Sequence, residues 1–236
     1  MLQRRAIAIV RPAGIGLIAL LAFVPHRPAE ARPEFRFEVG LGVVYTDYDL
    51  TAETGLGPAD IDLESDSALG GTGPLYSAGL WVDGLFAPNF TFGVEYLNGQ
   101  TSSDVDVEVR AAGTTNRLDT EFRLETQSVF VNAAWRSNEG HVHPYLGGGL
   151  GGSWLDGRIR SDAATSALGG ADRRIRLLDQ DAFAPSAQIL AGFDYDVTER
   201  FYVGIGGRFF LIDGRLFEQD QVIRELSAQA RAGIRF

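Results

Sequence analysis

Along most of this chain, hydrophobic and polar residues alternate. Between 35 and 45, Phe35, Phe37, Val39, Leu41, Val43 and Tyr45 fall on one face, with Arg36, Glu38, Gly40, Gly42 and Val44 on the other. A period of two is the mark of a β-strand whose faces meet different solvents. The same pattern runs through Tyr76–Phe86, Phe90–Leu97, Ser128–Trp135, Tyr145–Trp154, Phe183–Tyr195 and Phe201–Leu211. An eighth segment, "RELSAQARAGIRF", keeps the alternation to the last residue, with Leu226, Ala228, Ala230, Ala232, Ile234 and Phe236 on one side. No stretch shows helical periodicity, and nothing marks a second domain.

The connections fall into two classes. Short turns near 87–89, 137–141 and 196–200 suit hairpins. Long, acid-rich links near 47–74, 98–121, 156–182 and 212–224 alternate with them. Eight strands with short turns at one end and long links at the other predict an all-β fold, an eight-stranded antiparallel up-and-down transmembrane β-barrel.

The two faces differ in a way that names the outer solvent. Phe35, Phe37, Phe86, Phe90, Trp135, Phe201 and Phe236 gather beside the short turns, and Tyr45, Tyr76, Trp154, Phe183 and Phe209 near the long links, with aliphatic residues between. Two aromatic belts flanking an aliphatic band match the two interfaces of a bilayer. The opposite face is rich in Gly, Ser, Asn, Gln and charge, which suits a lumen and not a sandwich core. In a closed barrel the last strand pairs with the first, because an open edge in lipid leaves backbone groups unsatisfied. That gives the terminal Phe236 a structural task.

The N-terminus sets the compartment. A positive start, the apolar run "PAGIGLIALLAFV" and the small-x-small site Ala29-Glu30-Ala31 read as a secretory signal peptide, 1–31, ahead of a barrel domain, 32–236. Losing residues 1–31 removes four arginines and one glutamate, deepening the net charge from −10 to about −13. An acidic chain without a single lysine is a poor binder of nucleic acid. The absence of cysteine excludes disulfides and thiolate chemistry.

At this point "HPYLGGGLGGSWL", "AQILAGFDYDVTERFYVGIGGRFF" and the closing "ARAGIRF" resemble the OmpA-like/opacity-type eight-stranded outer-membrane β-barrel superfamily of Gram-negative bacteria. The resemblance spans the mature chain. It implies location in the outer membrane; the expected surroundings are a lipid bilayer with lipopolysaccharide, and the barrel is expected to be a monomer. The resemblance also implies that Ala232, Ile234 and Phe236 form the C-terminal signal met by the barrel-assembly machinery.

Candidate chemistry is sparse, and no cofactor or metal is expected. His141 and His143 share a short turn and read as solvated. No His stands beside a Ser at an interface, so an acyl-transfer triad of a lipid A-modifying enzyme is not expected. The segment "DIDLESD", with Asp60, Asp62, Glu64 and Asp66, lacks the glycine and closing glutamate of a calcium loop and reads as a solvated extension of the first strand. Arg173, Arg174 and Arg176 could meet lipid phosphates or loop carboxylates.

The lumen face offers a charge network of Glu38, Glu95, Arg208 and Arg231, with Glu38 and Arg231 at similar depth and Arg208 adjoining. It also offers fillers in Trp81, Phe130, Tyr145, Tyr202 and Phe210. An eight-stranded barrel is just wide enough for side chains to fill it. The expectation is a plugged barrel with a structural or surface-interaction role and no catalysis. A small channel and adhesion through the long links are the rivals.

Overall fold

The computed structural model describes residues 33–48, 51–56, 59–64, 69–85, 87–111, 114–161, 175–216 and 219–236. Ala29 and Ala31 of the expected cleavage site lie outside them, as do Asp66, Phe86, Arg173 and Arg174. All the regular elements described are strands: β1 (Glu34–Tyr48), β2 (Thr51–Leu56), β3 (Ala59–Glu64), β4 (Leu69–Asp83), β5 (Phe90–Ala111), β6 (Thr114–Arg136), β7 (Val142–Ser161), β8 (Ile175–Asp196), β9 (Phe201–Leu216) and β10 (Gln219–Arg235). Eight of them close on themselves in the order β4-β1-β10-β9-β8-β7-β6-β5, and β5–β4 pairing completes the ring. The chain therefore forms a closed antiparallel eight-stranded barrel.

Closure depends on the last strand. β10 pairs with β1 from Arg36↔Arg235 to Asp47↔Arg224. Phe236 exchanges backbone bonds with Phe35, N to O at 3.0 Å and O from N at 3.2 Å, and the two rings stack at 6.2 Å.

The alternation read from the sequence sorts side chains as a lipid-facing wall requires. Phe37, Leu41, Leu80, Leu146, Ile189, Ile205 and Leu226 are exposed, while Trp81, Phe130, Leu190, Tyr202 and Phe210 point inward and are buried. Glycine on the inner face makes room for the large rings. A Cβ on Gly93 would stand 2.4 Å from the Trp81 ring, and one on Gly206 would stand 2.0 Å from the Tyr145 hydroxyl. Two of the short turns carry a glycine at positive φ, Gly84 at 67° and Gly140 at 75°, a conformation other residues adopt only under strain.

The far end differs from expectation. β5 and β6 run 22 and 23 residues, about twice what a bilayer crossing needs, and pair without interruption to Ala111↔Thr114. Residues 98–111 and 114–121 thus belong to one long antiparallel pair. On β6 the outward residues are apolar from Trp135 to Val129 and polar from Gln127 to Glu121, so the strand continues past the apolar band. The "DIDLESD" segment is not an extension of the first strand: Ala59–Glu64 pairs with β2 and, through Asp60↔Arg110 to Asp62↔Glu108, with β5.

Candidate functional site

The inward-facing residues of the barrel form layers. Nearest the short turns, Arg235 donates to Asp196 Oδ2 at 2.8 Å. His143, at the start of β7, is buried. Its Nε2 lies 2.9 Å from Asp196 and its Nδ1 2.8 Å from the Ser137 carbonyl. The solvated-turn reading of His143 is therefore corrected: the residue opens a strand with inward parity, and its ring closes the lumen mouth.

One step deeper, Asp194 of β8 is the hub. Arg231 donates to its Oδ1 from Nε at 2.9 Å and Nη2 at 2.6 Å. Arg136 Nε donates to Oδ2 at 3.2 Å, and Arg36 Nη1 lies 3.7 Å away. Arg36 also meets Asp83 at 2.6 Å and donates to the Tyr202 hydroxyl at 3.2 Å. That hydroxyl donates in turn to Glu38 at 2.9 Å. Arg231 Nη1 stands 3.4 Å from Glu38 Oε1, and its guanidinium covers the Tyr145 ring at 3.9 Å, a cation–π contact that favours the buried charge.

Above this, Arg208 of β9 binds Glu95 of β5 with both terminal nitrogens. Asn132 donates to Glu95 at 3.1 Å, Gln188 donates to Asn132 at 2.7 Å, and Arg208 donates to Gln188 at 3.3 Å. With its amide turned to suit its neighbours, Gln229 accepts from Arg208 at 2.7 Å and donates to Ser77.

Sequence reasoning thus grouped Glu38 with Arg231 and placed Arg208 beside them. The structure brings Glu38 and Arg231 within 3.4 Å but directs Arg208 to Glu95. It adds Arg36, Asp83, Arg136 and Asp194. Their inward parity was visible in the pattern; their convergence was not.

These two layers hold four arginines (36, 136, 208, 231) and four carboxylates (38, 83, 95, 194), all buried or nearly so. The set is neutral. An uncompensated charge in such a place is very costly, and this pairing leaves none over. A void lined by Arg36, Trp81, Arg136, Tyr145 and Arg231 among others measures about 10 Å³, room for roughly one water.

The next layer is apolar, with Val44, Leu75, Leu97, Phe130 and Phe210 buried together and the two rings 5.8 Å apart. Beside it runs a chain of hydroxyls, Ser128–Ser153–Ser186, with 2.6 Å at each link. Beyond it, Glu225 accepts from Thr126 at 3.0 Å and Thr46 at 3.3 Å. Buried Phe122, Leu124, Leu155, Ala184, Ile212 and Ile223 line the outermost described part of the lumen.

A closed barrel with a lipid-facing wall and a filled, charged interior is what a small outer-membrane protein would need. A sequence model of the outer membrane protein beta-barrel domain matches residues 16–236. The chain belongs to that family. An outer-membrane location follows from the membership. The chain is also similar to three barrels of known crystal structure. Neisserial surface protein A (NspA) is 19% identical over 85% of this chain and 97% of its own, with a TM-score of 0.44. Ail, the attachment invasion locus protein of Yersinia pestis, is 16% identical over 85% and 98%, with 0.41. The outer membrane protein OprG from Pseudomonas aeruginosa is 17% identical over 86% and 95%, with 0.41. No curated protein matches the sequence significantly.

The three residues expected to signal assembly all lie on β10 or at its end. Ala232 is half-buried, while Ile234 and Phe236 are exposed on the outer wall. Arg176 is the second residue of β8, its backbone opposite Arg160.

Proposed function

We propose that this protein is a monomeric, non-conducting barrel that serves the outer membrane as a structural and surface-interaction element, without catalysis. The observation that carries this reading is the neutral charge network spanning the lumen from Asp196 to Glu95, where the void beside Arg36, Arg136 and Arg231 has room for roughly one water. Ions crossing such a layer would have to separate buried pairs whose partners then stand uncompensated. The non-catalytic reading is supported by His143, both of whose ring nitrogens are engaged, one with the Ser137 carbonyl and one with the Asp196 carboxylate.

The long-strand end faces outside, with lipopolysaccharide around the wall. The barrel-assembly machinery reads Ala232, Ile234 and Phe236, and a leader is removed after Ala31. Entry of small sugars and amino acids into proteoliposomes, followed by osmotic swelling, tests the central point. Swelling no faster than in protein-free liposomes is expected. Fast, size-dependent swelling would establish an aqueous pore in place of the closed lumen.

A further inference from the structure

In the charged layers each buried carboxylate meets an arginine: Glu38 and Asp194 meet Arg231, Asp83 meets Arg36, and Glu95 meets Arg208. Glu225 differs. It is only 5% exposed, yet among the described residues no cationic side chain pairs with it. Its partners are the hydroxyls of Thr46 at 3.3 Å and Thr126 at 3.0 Å. Thr46 is its cross-strand neighbour on β1. Thr126 reaches it from β6, four strands away in either direction round the ring. Phe130 and Phe210 are buried on one side of this level, and Leu124, Ile212 and Ile223 on the other. A lone negative charge in such surroundings is costly unless a positive one joins it.

A further oxygen belongs to the same level. Thr101 of β5 is 3% exposed, and its hydroxyl has no hydrogen-bond partner. Its side chain lies over Gly71 of β4, where an added Cβ would stand 3.2 Å from the Thr101 Cβ. Gly71 is in turn the cross-strand neighbour of Thr46. Round the wall, Glu225, Thr46, Gly71, Thr101 and Thr126 thus follow one another on β10, β1, β4, β5 and β6. Four oxygen-bearing side chains face the lumen there, and the one without a side chain keeps Thr46 and Thr101 from being walled apart. A buried hydroxyl left unpartnered is rare enough to call for a ligand.

We infer that Glu225, Thr46, Thr101 and Thr126 form a binding site for a small monovalent metal cation of the size of sodium. Charge selects the valence: one carboxylate balances one positive charge, and a divalent ion would leave one over. Carboxylate and hydroxyl oxygens are hard donors of the kind such ions take. A threonine hydroxyl carries two lone pairs beside its proton, so it can turn from Glu225 to an ion. The spacing also fits. Ligand oxygens held at about 2.4 Å from one ion, at right angles, stand about 3.4 Å apart, close to the 3.0 and 3.3 Å seen between Glu225 and its two hydroxyls. The ion would tie β10 and β1 to β5 and β6 across the lumen, above the apolar layer.

The test is equilibrium urea unfolding in lipid vesicles while sodium chloride replaces N-methyl-D-glucamine chloride at constant ionic strength. The bulky organic cation cannot enter the site, and the fixed ionic strength holds general screening constant. The wild-type midpoint should rise with sodium and then keep rising only logarithmically, as binding to the folded state alone requires. Glu225→Gln, which removes the charge and keeps the size, should lose the rise. Thr101→Val decides between an ion ligand and a packing residue. Its hydroxyl has no other bond to lose, so without sodium the variant should be at least as stable as the wild type. In sodium it should need a several-fold higher concentration to reach the same shift. A wild-type midpoint that ignores sodium, the result expected if the carboxyl simply carries a proton, would overturn the site. So would a wild-type-like rise in either variant. Ion conductance by the wild type would undo the sealed lumen proposed above and leave this comparison intact.

Discussion

Arg208 and Glu95 meet across the full width of the lumen. β9 and β5 are four strands apart in either direction round the eight-stranded ring, yet the two side chains form a two-pronged ion pair. Such a strut ties opposite walls together and leaves each charge dependent on the other. Two-pronged arginine–carboxylate pairs are strong because both N–H groups align with both oxygens.

Glu95→Gln should therefore destabilise the barrel by about 3–5 kcal/mol, the usual result of stranding one member of a buried pair. The double variant Glu95→Gln/Arg208→Met should cost clearly less than the sum of its single changes. Equilibrium urea unfolding in lipid vesicles measures both quantities. Strict additivity would mean that the two charges act separately.

Asp194 should matter more than Glu38. It faces three guanidinium groups, with distances of 2.6, 3.2 and 3.7 Å to Arg231, Arg136 and Arg36. Glu38 faces two, at 3.4 and 4.0 Å. Asp194→Asn should lower the urea midpoint further than Glu38→Gln in the same vesicles. The reverse order would shift the hub to β1.

The difference between these two acids shows what the sequence carries and what it does not. Strand parity placed Glu38, Asp194 and all four arginines on the inner face, because a side-chain period of two follows from backbone geometry alone. Closure makes the first and last strands neighbours, so Glu38 and Arg231 could be set at similar depth. Asp194 lies on β8, three strands from β1, and its height relative to Arg231 and Arg36 depends on the stagger of the barrel. Nothing in the alternation reports that stagger. The long outer parts of β5 and β6 were missed for a different reason. Past Gln127 the wall leaves the apolar band, the outward face turns polar, and the contrast that flags a spanning strand fades.

Phe236 should be needed for assembly more than for stability. It contributes the last backbone pair and a stacked ring to the β1–β10 seam, a small part of the whole ladder. Deleting it should cause periplasmic accumulation and degradation in cells, while the urea-unfolded variant still refolds into detergent. Normal insertion of the shortened chain in cells would remove the residue from the assembly signal.

Protease added to intact cells should cut between β7 and β8, within 162–174, and leave the short turn at 137–141 intact. Fragment masses identify the site. Cleavage confined to 137–141 would invert the proposed orientation.

Single-molecule conductance in planar bilayers tests the sealed lumen most directly. The wild type should show no steady ion current, because the Arg208–Glu95 strut and the Asp194 cluster fill the cross-section with paired charge. Glu95→Ala/Arg208→Ala, which removes the strut without leaving a lone charge, should admit small currents. A large, steady conductance from the wild-type barrel would contradict the account.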